Sequence, residues 1–225
     1  NEGYADVSYE ETAELVEAQR QEAIRRRMHL VELPASLKHA TLVPNQKDSV
    51  ILTRSRTEIL SLMSDFIGNF HSPTKKGLYV YGDFGVGKSF LLAALAHDLS
   101  EKYSVATTMI HYPSFVVNVK NAIQSGQVKA EIDSVKKADI LILDDIGAEQ
   151  HSPWVRDDVL QVILQHRMQE NLPTFFTSNF SLADLEKRLS QGKAGDESWQ
   201  AKRVMERIRF LAKEVHLEGE NRRHE

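Results

Sequence analysis

Residues 78–95 read Leu78-Tyr79-Val80-Tyr81-Gly82-Asp83-Phe84-Gly85-Val86-Gly87-Lys88-Ser89-Phe90-Leu91-Leu92-Ala93-Ala94-Leu95. The central eight fit G-x-x-x-x-G-K-[ST], a pattern that makes a phosphate cradle only between a strand and a helix, where loop N–H groups converge on anion oxygens at a helix N-terminus. Both flanks are present. Gly82, Gly85 and Gly87 allow backbone approaches that a Cβ would obstruct, and Asp83, Phe84 and Val86 complete the ring of N–H groups. Lys88 supplies an ammonium for β and γ phosphates, and the Ser89 hydroxyl is small enough to ligate a hydrated Mg²⁺.

Downstream, Asp139-Ile140-Leu141-Ile142-Leu143-Asp144-Asp145 places four apolar residues before a pair of carboxylates. Such a run suits a strand buried on both faces of a parallel sheet, with the carboxylates at the C-terminal end where open α/β sheets bind ligands. Asp144 is expected to hold Mg²⁺ together with Ser89. Asp145 is placed to polarise the water that attacks the γ phosphate.

The chain has 225 residues, 41% hydrophobic and 27% charged, with a formal net charge of −4, which fits one main globular domain plus an appendage. That balance gives no global attraction to nucleic acid, so any contact with DNA needs a local basic stripe. There is no cysteine, no apolar run long enough to span a bilayer and no signal-peptide pattern, so the sequence reads as cytosolic. The first residue is Asn1 rather than methionine, which leaves room for a longer polypeptide.

Residues 1–50 read as an N-terminal helix and linker, and residues 51–225 as the main domain. Ser8 and Glu11 form a capping-box pair ahead of a charged helical stretch from Glu10 to Met28, and Pro34 breaks it before an irregular connection. Arg25, Arg26 and Arg27 suit either a solvated helix end or a phosphate. Helical spacing of Ile59, Leu62, Met63, Phe66 and Phe70 precedes the first strand. Strands are then expected at 104–111, 139–145, 173–179 and 214–217. Helices are expected at 113–137 with a break at Ser125-Gly126, from Pro153 to about Glu170 with Val155, Val159, Val162, Ile163 and His166 along one side, after the Ser181 cap, and from Trp199 to Ala212. Residues 190–198 hold too few apolar groups to pack and read as a mobile loop. The alternation implies a three-layer α/β domain around a central parallel sheet, with no room for a separate C-terminal helical lid.

Asn179 closes a strand expected beside both the loop strand and the Asp-Asp strand. There it either orients the attacking water and touches the γ phosphate, as sensor 1 does in AAA+ ATPases, or forms the turn before Ser181. Arg203 and Arg207 are four apart and share a helix face. They suit a contact with a neighbouring subunit's γ phosphate or pairing with Glu206, and spacing does not separate the two arginines.

The combination of Gly82–Ser89, Ile140–Gly147, Thr174–Asn179 and Arg203-Val204-Met205-Glu206-Arg207-Ile208-Arg209 resembles the AAA+ domain of bacterial replicative helicase loaders of the DnaI and DnaC type, with IstB transposition helpers as relatives. The resemblance runs from about Leu33 onward. It implies a P-loop NTPase of the AAA+/ASCE class, Mg-ATP binding with slow hydrolysis, self-association through the ATP sites, a hexameric replicative helicase as partner and single-stranded DNA as ligand. It also implies that Arg207 is the arginine finger and that Arg222 or Arg223 is the sensor 2 site. Loaders carry an additional N-terminal helicase-binding domain, with a zinc site in DnaI; neither is expected within these residues. Residues 112–137 resemble the helical insertion that faces DNA, where Phe115, Lys120 and Lys129 stack a base or meet phosphates, or else pack and solvate an amphipathic helix. Rival readings are a transposase partner of the IstB kind and a binding module in which ATP is a structural ligand.

Overall fold

In the computed structural model, which describes residues 13–42, 53–72, 76–150, 152–192, 195–196 and 198–221, the apolar run before the phosphate loop becomes a strand of a six-stranded sheet and the run after it a helix. In chain order the elements are α1 (Ala13–Arg27), β1 (Met28–Val31), a 3₁₀ turn (Ala35–His39), α2 (Arg54–Gly68), β2 (Gly77–Tyr81), α3 (Lys88–Tyr103), β3 (Thr107–His111), α4 (Tyr112–Ser125), α5 (Val128–Lys136) and β4 (Ile140–Asp144). A π-wound segment (Val155–Leu160) then runs into α6 (Gln161–Gln169), followed by β5 (Thr174–Ser178), α7 (Leu182–Leu189), β6 (Gln191–Gly192), β7 (Gly195–Asp196), α8 (Ser198–Leu211) and β8 (Ala212–His216).

The main sheet has the order β1-β3-β4-β5-β2-β8, and every pair in it is parallel. Parallel strands need crossover helices, and these cover both faces. Side chains alternate accordingly: Leu78, Val80, Ile140, Ile142 and Phe175 join the core under α1, α2 and α3, whereas Tyr79, Leu141, Leu143 and Phe176 join the core under α4 to α8. This is the three-layer α/β arrangement around a parallel sheet, and the loop strand β2 lies next to β5, itself next to β4.

Three expectations change. Met28–Val31, assigned to the end of a helix and a linker, is a strand paired with β3 from Met28↔Thr107 to Val31↔Ile110. Ile24, Met28, Leu37 and Ala40 belong to the same core cluster as Leu92 and Met109. The segment 190–198 contains the short antiparallel pair β6–β7 rather than an unpaired loop. The helix after Pro153 opens as π turns, which carry the buried positions through Val155, Val159, Leu160, Ile163 and Leu164 and leave Val162 40% exposed.

Helix ends follow local chemistry. The Ser181 hydroxyl accepts from Asp184 N at 3.2 Å and starts α7, and Gly126 takes a left-handed φ of 69° that ends α4 at the expected break. The capping pair Ser8 and Glu11 lies outside the described residues. Among the described residues no helix is long and apolar enough to cross a membrane, and none follows β8.

Candidate functional site

The phosphate loop leaves β2 at Tyr81 and enters α3 at Lys88, so its N–H groups sit at a helix N-terminus. Gly87 caps α3 with φ 96°, and a Cβ there would come within 3.1 Å of the Arg56 guanidinium. A Cβ at Gly82 would run into the Leu217 carbonyl, because Leu217 N bonds Tyr81 O at 2.7 Å and draws β8 against the loop's first turn. Val86 points its side chain into the core, while its carbonyl accepts from Arg56 Nη2 at 2.8 Å. Asp83 and Phe84 are exposed at the loop's tip.

Lys88 is buried and curls back onto its own loop. Its Nζ donates to Gly82 O at 2.8 Å, Asp83 O at 2.7 Å and Asn179 Oδ1 at 2.8 Å. Asn179 in turn donates from Nδ2 to Asp145 Oδ1 at 2.8 Å. One amide side chain therefore joins the loop's ammonium to the second carboxylate of the Asp-Asp pair. The first carboxylate, Asp144, is buried and accepts from Thr177 Oγ1 at 2.7 Å, and the same hydroxyl accepts from Asp145 N at 2.9 Å. Asp145 sits at φ 60°, a left-handed conformation that costs a residue with a Cβ and is held here by Thr177 and Asn179.

A cleft of about 580 Å³ opens above these groups. Its polar floor is Gly87, Lys88, Ser89, Asp144, Asp145, Thr177 and Asn179, and its side wall includes Leu33, Pro34, Leu37 and Phe90. That pairing of a phosphate cradle with an apolar slot matches the two ends of a nucleotide. A hydroxyl and a carboxylate, Ser89 and Asp144, are the hard oxygen donors that suit Mg²⁺ alongside phosphate oxygens and water.

The remaining expected residues lie elsewhere. Arg203 is exposed and Arg207 half-buried on α8, where Arg207 Nε donates to Gln165 Oε1 at 2.8 Å and Nη1 donates to Arg203 O; neither lines the cleft of its own chain. Burial, and secondarily Arg203, lowers the Arg207 pKa. Arg222 and Arg223 lie outside the described residues. Phe115 corrects an expectation: its ring is 4% exposed and packs with Tyr112, Val116 and Val119 in the core, so it has no face to offer a base. Lys120 is half-buried on α4 and Lys129 exposed on α5.

Sequence reasoning missed Thr177, Arg56 and Glu149. Thr177 had a signal, a hydroxyl residue on the strand expected beside the Asp-Asp strand. Arg56 comes from a helix remote in sequence and carries none. Glu149 is 5% exposed just beyond the Asp-Asp turn, where it accepts from Gly147 N at 2.7 Å, and burial raises its pKa.

A family model described as IstB-like ATP binding protein matches residues 4–225. The replicative helicase loader DnaI of Bacillus subtilis (strain 168) is 45% identical over 172 residues, which are 76% of this chain and 55% of that protein. The chain thus spans about half the length of that relative. A solved structure from Streptococcus pyogenes serotype M3, described as a candidate primosome component, is 55% identical with a TM-score of 0.75, covering 90% of this chain and 99% of that one. A DnaI crystal structure is 36% identical with a TM-score of 0.76, covering 86% and 98%. With its phosphate loop, carboxylate pair and strand order in place, this chain belongs to the IstB-like ATP-binding protein family.

Proposed function

We propose that the chain is the ATP-hydrolysing domain of a loader that delivers a hexameric replicative helicase to single-stranded DNA. The observation that carries this reading is the Lys88–Asn179–Asp145 chain of hydrogen bonds, which ties the phosphate-binding cation to the carboxylate beside the attacking water. The 45% identity with the DnaI loader supports the biological role.

In this reading the loop N–H groups and Lys88 hold the β and γ phosphates, Lys88 exchanging its loop carbonyls for phosphate oxygens. Ser89 and Asp144 hold Mg²⁺, which neutralises charge on the phosphates when bound. Asp145 accepts the proton of the water that attacks phosphorus, and Asn179 orients that water and senses the γ phosphate. Because Arg203 and Arg207 do not line their own chain's cleft, Arg207 acts on a neighbouring subunit, with Arg203 beside it. ATP then closes subunit contacts, and hydrolysis releases the loader. Arg222 completes the nucleotide contacts. Lys120 and Lys129, without Phe115, make the phosphate contacts to single-stranded DNA.

The test measures ATP turnover with and without single-stranded DNA, and co-sedimentation with the replicative helicase with and without ATP. Lys88→Ala and Asp145→Asn should abolish turnover, and unchanged turnover in both would remove the site. A second reading, a transposition helper of the IstB kind, follows from the resemblance of the sequence motifs, and the family is described as IstB-like. That role predicts duplex DNA bound as tightly as single strands at fixed salt.

A further inference from the structure

On the side of α3 that faces α1, three side chains point ligand atoms at one another. His97 is deeply buried, with its side chain 9% exposed, and its Nδ1 has no hydrogen-bond partner. That nitrogen lies 3.6 Å from Asp98 Oδ1 and 4.0 Å from Glu101 Oε2, and the three ligand atoms fall within 4.8 Å of one another. Both carboxylate distances exceed a hydrogen bond, so the imidazole nitrogen is desolvated without compensation. An unpartnered buried nitrogen facing two carboxylates at this spacing is a candidate ligand set for a cation.

We propose that His97, Asp98 and Glu101 form a site for a divalent first-row transition metal of the zinc class. Tetrahedral zinc, with bonds of about 2.0–2.2 Å to nitrogen and oxygen, sets its ligand atoms roughly 3.4 Å apart. The separations of 3.6 and 4.0 Å from His97 Nδ1 are near that spacing. The carboxylate side chains are 28% and 32% exposed, which leaves an entry path and room for water as a further ligand. The imidazole selects against Mg²⁺, which prefers an all-oxygen shell, and in favour of zinc, nickel or copper. Glu101 lies in the last turn of α3, where the helix dipole favours a cation.

Arg20 supplies the outer support. It donates to Glu101 Oε1, leaving Oε2 to face His97, the arrangement by which a neighbouring charge orients a metal-binding carboxylate. Through this ion pair α1 is joined to the ligand set on α3. The site is separate from the nucleotide cleft, since eight residues of helix place His97 about 12 Å along α3 from Ser89.

The test is a zinc titration against a chromophoric competing chelator, with Mg-ATP saturating so that the Ser89 and Asp144 oxygens are occupied. The wild-type chain should take up one zinc ion, and the double variant Asp98→Asn, Glu101→Gln should bind it at least tenfold more weakly. Both substitutions are at partly exposed positions, so the variant retains its fold, which its far-UV spectrum and ATP affinity check. His97→Asn should show the same loss. Equal zinc affinity in the double variant and the wild type, or no uptake by the wild type at 100-fold excess of free zinc over protein, would overturn the site.

Discussion

Asn179 accepts from Lys88 Nζ at 2.8 Å and donates to Asp145 Oδ1 at 2.8 Å, so a single amide holds both the phosphate-binding cation and the proposed base. Its two ends read different chemistry. The oxygen faces a charge that must move onto phosphate, and the nitrogen faces a carboxylate that must stay in line with water. Asn179→Ala should therefore lower kcat by about 100-fold, the scale of losing one preorganised donor, while the KM for ATP changes less than about threefold. A variant that loses affinity and keeps kcat would mean that Asn179 only shapes the loop.

Thr177 links the carboxylates from below, donating to Asp144 and accepting from Asp145 N. Thr177→Val keeps the shape and removes both bonds from a fully buried position, which leaves Asp144 short of a donor and the left-handed Asp145 short of an anchor. The expected destabilisation is about 2 kcal/mol, or roughly 4–8 °C in Tm for a chain of this length. Thr177→Ser should restore both Tm and turnover. If valine is as stable as serine, the hydroxyl does not hold the pair.

The site's backbone was legible because its signals are contiguous: Leu78–Ser89 and Ile140–Asp145 each carry a strand and its motif in one short stretch. What stayed hidden depends on meetings across the fold. β1 is four residues with one deeply buried position, Met28, and it exists because Thr107–Ile110 offers a parallel edge. Arg167 looks like a polar helix residue, yet it is fully buried, with its guanidinium donating to the carbonyls of Lys136, Ala138 and Pro173. Phe115 shows the converse, since helical spacing cannot tell a ring that faces a ligand from one that faces the core.

Arg207 allows a test that separates a trans role from local packing. Arg207→Ala should reduce turnover by about 10³-fold if its guanidinium stabilises the transition state on a neighbour. The Lys88→Ala chain is also inactive but keeps Arg207. In an equal mixture, about one site in four pairs an intact loop with an intact arginine from the next subunit, so activity should return to about a quarter of wild type. No recovery on mixing, with co-assembly verified by sedimentation, would assign Arg207 to its Gln165 contact alone.

Glu149 gives the chain a pH dependence with a defined sign. Burial raises its pKa above the ordinary value of 4.5, with the Gly147 N–H and Arg188 opposing and Asp145 adding to the rise. Between the ordinary and the raised value the folded state binds more protons than the unfolded state, so stability falls as pH rises through that window. Each unit of elevation corresponds to about 1.4 kcal/mol. Glu149→Gln retains an oxygen for Gly147 N and removes the charge. Its Tm should exceed that of wild type at pH 8, and the two should converge as pH falls toward 4.5. Parallel Tm curves across pH 4.5–8 would show that Glu149 does not change protonation on folding. If the Tm gain at pH 8 comes without loss of ATP turnover, the buried carboxylate is a structural cost of the turn rather than part of the hydrolytic machinery.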